Sequence, residues 1–205
     1  MSDIQVKTYT SGLSASTASI AALQTTSGTA AMTLTDAATA GTFHTTGLAA
    51  KVTLTSGGNI SGVTITVTGT DIAGNALTED ITGPNNTTVT GTKFFNTVTS
   101  VAGDGSIGTN TSVGVAAGTT GGQAVVFAGR ARLKSLHCTT GGTVADITYY
   151  DESPISGTSI FSTQVATTTH DYIEPYIPDD GVVFPNGIYI DIPAGASASI
   201  TTFYA

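Results

Sequence analysis

The sequence predicts an all-β protein, and three observations carry that expectation. Apolar and hydroxyl residues alternate with a period of two: Val63, Ile65 and Val67 are separated by Thr64, Thr66 and Thr68. Such a stretch has one apolar and one hydroxyl face as a strand. Threonine makes up about a fifth of the chain and, with Val and Ile, supplies β-branched side chains that suit a pleated surface. Short apolar runs are separated by Gly, Asn, Asp and Pro clusters about every 8–12 residues, the rhythm of a sandwich. No segment of helical period and useful length follows Gly28. The expected architecture is two small antiparallel β-sandwich domains, Ig-like or jelly-roll-like, preceded by an extended N-terminal arm.

The arm is residues 1–28. Ile4, Val6 and Tyr9 suit one short strand, and Leu13, Ile20 and Leu23 are the only large apolar groups in the Ser/Ala/Thr-rich remainder. That content disfavours a helix. An arm that orders against a neighbour is expected, with a disordered terminus as the equal alternative. The first sandwich is residues 29–117. Its strands centre on Met32–Thr35, Val52 and Leu54, the hairpin from Ile60 to Asn86, Lys93–Phe95, Val98 and Val101, and Val113–Val115. In the hairpin, a turn-rich connection runs from Gly69 to Asn75. Leu77 and Ile81, four apart, share a side of the returning strand, and Pro84-Asn85-Asn86 ends it. The small-residue stretch Ala116–Gly122 marks a boundary. The second sandwich, residues 118–205, is richer in Tyr, Pro and Asp, with turns at Gly141-Gly142, Pro178–Gly181 and Pro193–Gly195.

Composition excludes several function classes. Only 10% of the residues are charged, against a usual value of about 25%. No run approaches the roughly 20 apolar residues of a membrane-spanning helix, so no membrane association is expected. Fourteen acidic residues against six basic ones give a net charge of −8. Three of the six, Arg130, Arg132 and Lys134, are bunched, which is too little for a phosphate track, so no nucleic acid is expected as a partner. A lone cysteine, Cys138, cannot form an internal disulfide. The opening MSDIQVKTYTSG lacks a secretory n-region and apolar core. The protein is therefore expected to be made in a cytoplasm and to leave it, if at all, by another route. A low-charge surface of this kind suits extensive contact with other proteins.

The residue types that do chemistry are scattered. His44, His137 and His170 show no metal-ligand spacing. His137 and Cys138, adjacent on a strand, point to opposite faces. Glu79-Asp80, Asp151-Glu152 and Asp179-Asp180 are adjacent acid pairs. Glycoside cleavage instead wants two carboxyls about 5–9.5 Å apart across an aromatic cleft, and Trp is absent. Asp71–Asn75 has the start of a calcium loop without its alternating acids or closing Glu, so turn capping is the better account. No catalytic residue, metal ligand or cofactor is implied. Tyr149, Tyr150, Tyr172, Tyr176 and Tyr189 cluster in the second sandwich, where an exposed Tyr group suits a protein or glycan contact. Tyr149 and Tyr150 face opposite sides, so one of them faces outward. The candidate partner-binding residues are Ile4, Val6, Tyr9 and Leu13 of the arm with Tyr150, Tyr172 and Tyr176.

Two stretches resemble modules of tailed-bacteriophage virion proteins. One is the strand–turn–strand block GVTITVTGTDIAGNALTEDITGPNNTTVTGTKFFNTVTSV, residues 62–101. The other runs from RARLKSLHC to the phrase DDGVVFPNGIYIDIPAGASASITTFYA. The resemblance implies a Thr/Gly-rich, non-enzymatic virion structural protein. The capsid decoration (cement) type binds the outer capsid surface, with the major capsid protein and other virion proteins as partners. Head-fibre, receptor- or glycan-binding, and neck or tail accessory proteins share the style. A homo-oligomer is expected, a trimer by preference, because closed symmetry removes exposed strand edges.

Overall fold

A computed structural model describes residues 3–10, 19–39, 48–107, 113–117, 121–142, 145–152, 158–165, 171–192 and 196–205. The protein is all-β and antiparallel, of the β-sandwich type. The first strands are β1 (Gln5–Thr10), β2 (Ala21–Gln24), β3 (Ala50–Ser56), β4 (Thr64–Thr70) and β5 (Ala76–Thr82). Next come β6 (Thr88–Phe95), β7 (Thr97–Gly103), β8 (Val113–Ala117), β9 (Gly122–Ala128), β10 (Ala131–Gly142) and β11 (Ala145–Tyr150). The last are β12 (Ser159–Val165), β13 (Asp171–Ile173), β14 (Val182–Phe184), β15 (Gly187–Ile192) and β16 (Ala196–Tyr204). One helical turn, α1 (Asp36–Thr39), stands where the strand Met32–Thr35 was expected to end, and Ala31 makes only an isolated bridge to Ala102.

The chain divides into two compact units, Ser14–Thr119, and Met1–Leu13 together with Thr120–Ala205. The unit Ser14–Thr119 has one sheet in the order β2-β8-β3-β6 and another in the order β5-β4-β7. Its core is apolar and drawn from both sheets: Val52, Leu54 and Phe95 from one, Ile65, Val67, Ile81, Val98 and Val101 from the other. Strand β3 alternates buried and half-buried positions along its whole length, as its period-2 sequence dictates. The hairpin forms as the alternation predicts, in register from Thr64–Thr82 to Thr70–Ala76. Its turn is shorter than expected, because Gly69 and Thr70 still belong to β4.

The other unit pairs a sheet in the order β1-β16-β10-β13, with β14 also on β10, and a second in the order β12-β11-β15-β9. Leu133, Leu136, Cys138, Phe184 and Ile200 meet Ile147, Tyr149, Ile188, Ile190 and Ile192 in its buried core. Two hydroxyls tie the sheets. Tyr149 Oη lies 3.0 Å from Thr202 Oγ1, and Tyr9 Oη donates to the Val125 carbonyl at 2.6 Å.

The described residues among the first 28, 3–10 and 19–28, do not form a separate arm. Residues Gln5–Thr10 are the edge strand of a sheet, antiparallel to β16 from Gln5–Tyr204 to Thr10–Ser199. Ile20 and Ala21 are buried in the core of the Ser14–Thr119 unit, where β2 pairs with β8. Of the few apolar groups in this stretch, Tyr9, Ile20 and Ala21 are buried as anchors, and its backbone partners lie far off in sequence, at residues 199–204 for β1 and 113–115 for β2. Such pairings have no local signature.

Threonine's abundance has a structural outlet. Cross-strand partners Thr8–Thr201, Thr55–Thr88 and Thr70–Thr97 place their hydroxyls 3.0, 2.8 and 2.6 Å apart. Each pair adds a few tenths of a kcal/mol, up to about 1 kcal/mol, to its ladder while satisfying both hydroxyls.

Candidate functional site

The acidic groups that sequence alone offers as chemistry are used as fasteners. Glu79 on β5 is buried, and its carboxylate accepts from Thr92 N at 2.5 Å, Thr92 Oγ1 at 2.8 Å and Lys93 N at 3.2 Å. It thereby joins β5 to β6, the edge strands of the two sheets of that unit. Gly91 makes the room, since a Cβ there would lie 2.5 Å from Glu79 Oε2 and 3.0 Å from Ile81 Cδ1. Its neighbour Asp80 is exposed and accepts from Thr66 Oγ1 at 2.7 Å. Replacing Glu79 by alanine leaves two backbone N–H groups without their acceptor, and a loss of about 2–3 kcal/mol is expected. Glu79→Gln, which keeps one acceptor oxygen, is expected to lose about half of that. Urea midpoints at unchanged m-value test both.

Asp71 is likewise occupied. Its Oδ1 accepts from Ala73 N at 2.8 Å and Asn75 N at 2.9 Å, and its Oδ2 from Asn75 Nδ2 at 3.1 Å. Gly74, at φ +86°, closes the turn. This is turn capping, as the spacing predicted, with the carboxylate oxygens directed at their own loop. Asp151 holds the NG turn of the C-terminal phrase, taking Asn186 N at 2.9 Å and Asn186 Nδ2 at 3.0 Å. Asp179 and Asp180 are exposed, and their main-chain carbonyls accept from Lys134 Nζ at 3.1 Å and Arg132 Nη1 at 2.9 Å. Among the described residues, no three His, Cys, Asp or Glu side chains lie close enough to hold a metal ion. His44 and His170 lie outside the described residues. Cys138 is buried, His137 half-buried on the opposite face of β10, and burial pushes the Cys138 thiol up to about 11. A thiol so placed stays protonated near neutral pH and is a poor nucleophile. An open cavity of about 260 Å³ is lined by Arg130, Ala131, Arg132 and Ala205.

The expected contact residues fall in different places. Val6 on β1 and Ile4 just before it are 57% and 64% exposed, with Val6 beside Phe203 on the outer face of its sheet. Tyr9 is a correction. It lies on the inner face, buried, with its hydroxyl on the Val125 carbonyl, and burial raises its pKa. It anchors β1 and presents nothing to a partner. Alternation shows this, because Tyr9 is an odd number of positions from Val6 and so takes the other face. Leu13 lies outside the described residues. Tyr149 is buried and Tyr150 half-buried, on opposite faces as expected, with Tyr150 opposite Tyr189. Tyr172 pairs with Thr139 through its backbone, and its side chain lies outside the described residues. Tyr176 is 85% exposed in the connection between β13 and β14. Ile4 and Val6 lie together at the start of β1, whereas Tyr150 and Tyr176 belong to other parts of the unit. Compared with known proteins, no family model, no curated protein and no solved structure matches this chain.

Proposed function

We propose that this chain is a non-enzymatic structural protein of a tailed-bacteriophage virion, a capsid decoration protein. It would bind the outer surface of the shell as a homo-trimer and bridge neighbouring copies of the major capsid protein. One observation supports this reading above the others. The buried or turn-forming carboxylates Glu79, Asp71 and Asp151 are each occupied by main-chain donors, while apolar Val6 on β1 and Ile4 just before it are left standing in solvent. Rigid ribbons with few charges and exposed apolar groups suit adhesion through area rather than a reaction at a point. The phage-like phrases at residues 62–101 and in the C-terminal unit supply the particle.

Quantitative mass spectrometry of purified particles from a lysate that makes this chain is expected to find it at a fixed ratio to the major capsid protein. Finding it in the lysate but never on particles overturns the reading. Tyr176 favours a second reading, a head-fibre or receptor-binding protein that reads host glycan, since a fully presented aromatic is a common sugar-stacking group. Glycan-array binding lost in Tyr176→Ala, with a low copy number per particle, would select it. A neck or tail accessory protein separates from both by copy number alone.

A further inference from the structure

An unpaired strand edge is a template for another chain, and proteins blunt such edges with short strands, bulges, charges or covers. In the Ser14–Thr119 unit every edge strand is so treated. The β5 and β6 edges are joined through Glu79, β7 is covered by the Ala31–Ala102 bridge and the Met32 N–Val101 O bond, and β2 has four residues. In the other unit, β13 and β14 have three residues each. Strand β9 has a bulge opposite Ile188–Tyr189, and its Val125 carbonyl is capped by Lys7 Nζ at 3.1 Å and Tyr9 Oη at 2.6 Å.

Two long edges remain. Among the described residues, strand β1 has six residues and one neighbour, β16, and strand β12 has seven residues and one neighbour, β11. The bulge on β12 is confined to its first end, opposite Tyr149–Tyr150, and leaves the register from Phe161 to Val165 regular. Neither strand contains Pro, Asp or Glu, in a chain with a net charge of −8. The one cation, Lys7, is turned back onto Val125 and does not guard the edge. The two edges also lie on opposite sides of the unit. Strand β1 sits over β9 through Tyr9, and β9 and β12 are the two ends of their sheet.

We propose that β1 of one copy pairs with β12 of the next, joining identical chains head to tail in a closed ring. The partner is a second copy because both halves of the contact occur on one chain, are of similar length, six and seven residues, and carry little of its self-repelling charge. Pairing β1 with another β1 would leave β12 open in both copies, whereas the head-to-tail contact saturates both edges in every copy once the ring closes. Ile4 and Val6 then flank a continuous intermolecular sheet. The inference does not depend on where the protein works, and it stands or falls apart from the virion reading.

Sedimentation of the full chain is expected to give one closed species, a multiple of the 20.5 kDa protomer. The variants V6K/T8K and S162K/Q164K, which place lysines on β1 and β12, are each expected to sediment as monomers. Mixed in equal amounts they are expected to form a 1:1 dimer and stop, because each retains the edge that the other has lost. A wild-type chain that stays monomeric at about 100 μM, or an S162K/Q164K variant of unchanged size, overturns the proposal. Should either variant fail to fold, amide exchange on the wild-type chain decides. Exchange in β1 and in β12 is expected to slow together as concentration rises, and no slowing in either strand overturns it.

Discussion

Gly69→Ala is expected to unfold the Ser14–Thr119 unit at physiological temperature or bring it close to that point. Gly69 is buried in β4, where the pairing with β7 shifts register, and a Cβ there would overlap the Thr97 carbonyl group and touch Val98 Cα. The obstacle is main chain on a paired strand, so it cannot be relieved by a rotamer change. Overpacking of this kind costs about 3 kcal/mol, occasionally more, and for a unit of this size that is roughly 12–24 °C of melting temperature. Two controls separate collision from glycine's other properties. Gly74 is at φ +86° with no heavy atom within 4 Å of a built Cβ, so Gly74→Ala meets backbone strain alone, about 1 kcal/mol. Gly62 has open space and no positive φ, so Gly62→Ala is expected to be near neutral. Thermal unfolding should rank the three in that order, and a Gly69→Ala protein as stable as Gly62→Ala would show that β4 and β7 do not approach as described.

The same glycine marks the limit of what the sequence discloses. Alternation in Val63–Thr68 placed strand, face and core correctly, since Ile65 and Val67 are buried. Local rules also fix the Asp71–Asn75 turn, whose donors and acceptors lie within four residues of one another. Gly69 reads locally as a turn residue, because the reason for it is Thr97, in another strand. Glu79 reads as half of an acid pair for the same reason, since the N–H groups that claim it belong to residues 92 and 93. Strand β1 is the extreme case. Its partner strand begins at Ala196, so the segment read as an arm is a strand only in the company of the chain's other end. Period and turn chemistry are written in neighbouring residues, whereas register between distant strands depends on the closed sheet. The exposed contact residues divide likewise. Val6 and Tyr9 could be separated by counting positions, but nothing near Tyr9 announces the Val125 carbonyl.

Tyr149→Ala is expected to cost the discontinuous unit about 4 kcal/mol, the usual range for emptying a large aromatic site being about 3–5 kcal/mol. Tyr149 is fully buried, pairs with Ile190 and Phe161 across its sheet, and meets the Phe161 ring edge-on at 5.8 Å between centroids. Its hydroxyl reaches Thr202 of the opposite sheet, and burial, the largest influence, raises its pKa, so the phenol stays protonated and available as a donor. The apolar and polar parts of this contact are separable. Tyr149→Phe keeps the ring and strands the Thr202 hydroxyl, itself fully buried, which predicts a loss of about 1–2 kcal/mol. Thr202→Val strands the phenol in the same way. In Y149F/T202V neither polar group remains, and a pair of buried partners replaced by apolar groups of similar shape can be nearly neutral. The double variant is therefore expected to be more stable than the sum of the two single losses implies, by about 1 kcal/mol or more, in a double-mutant cycle measured by urea unfolding. Strict additivity would mean that the two sheets are held at this point by packing alone, and the hydroxyl of Tyr149 would then need a different partner.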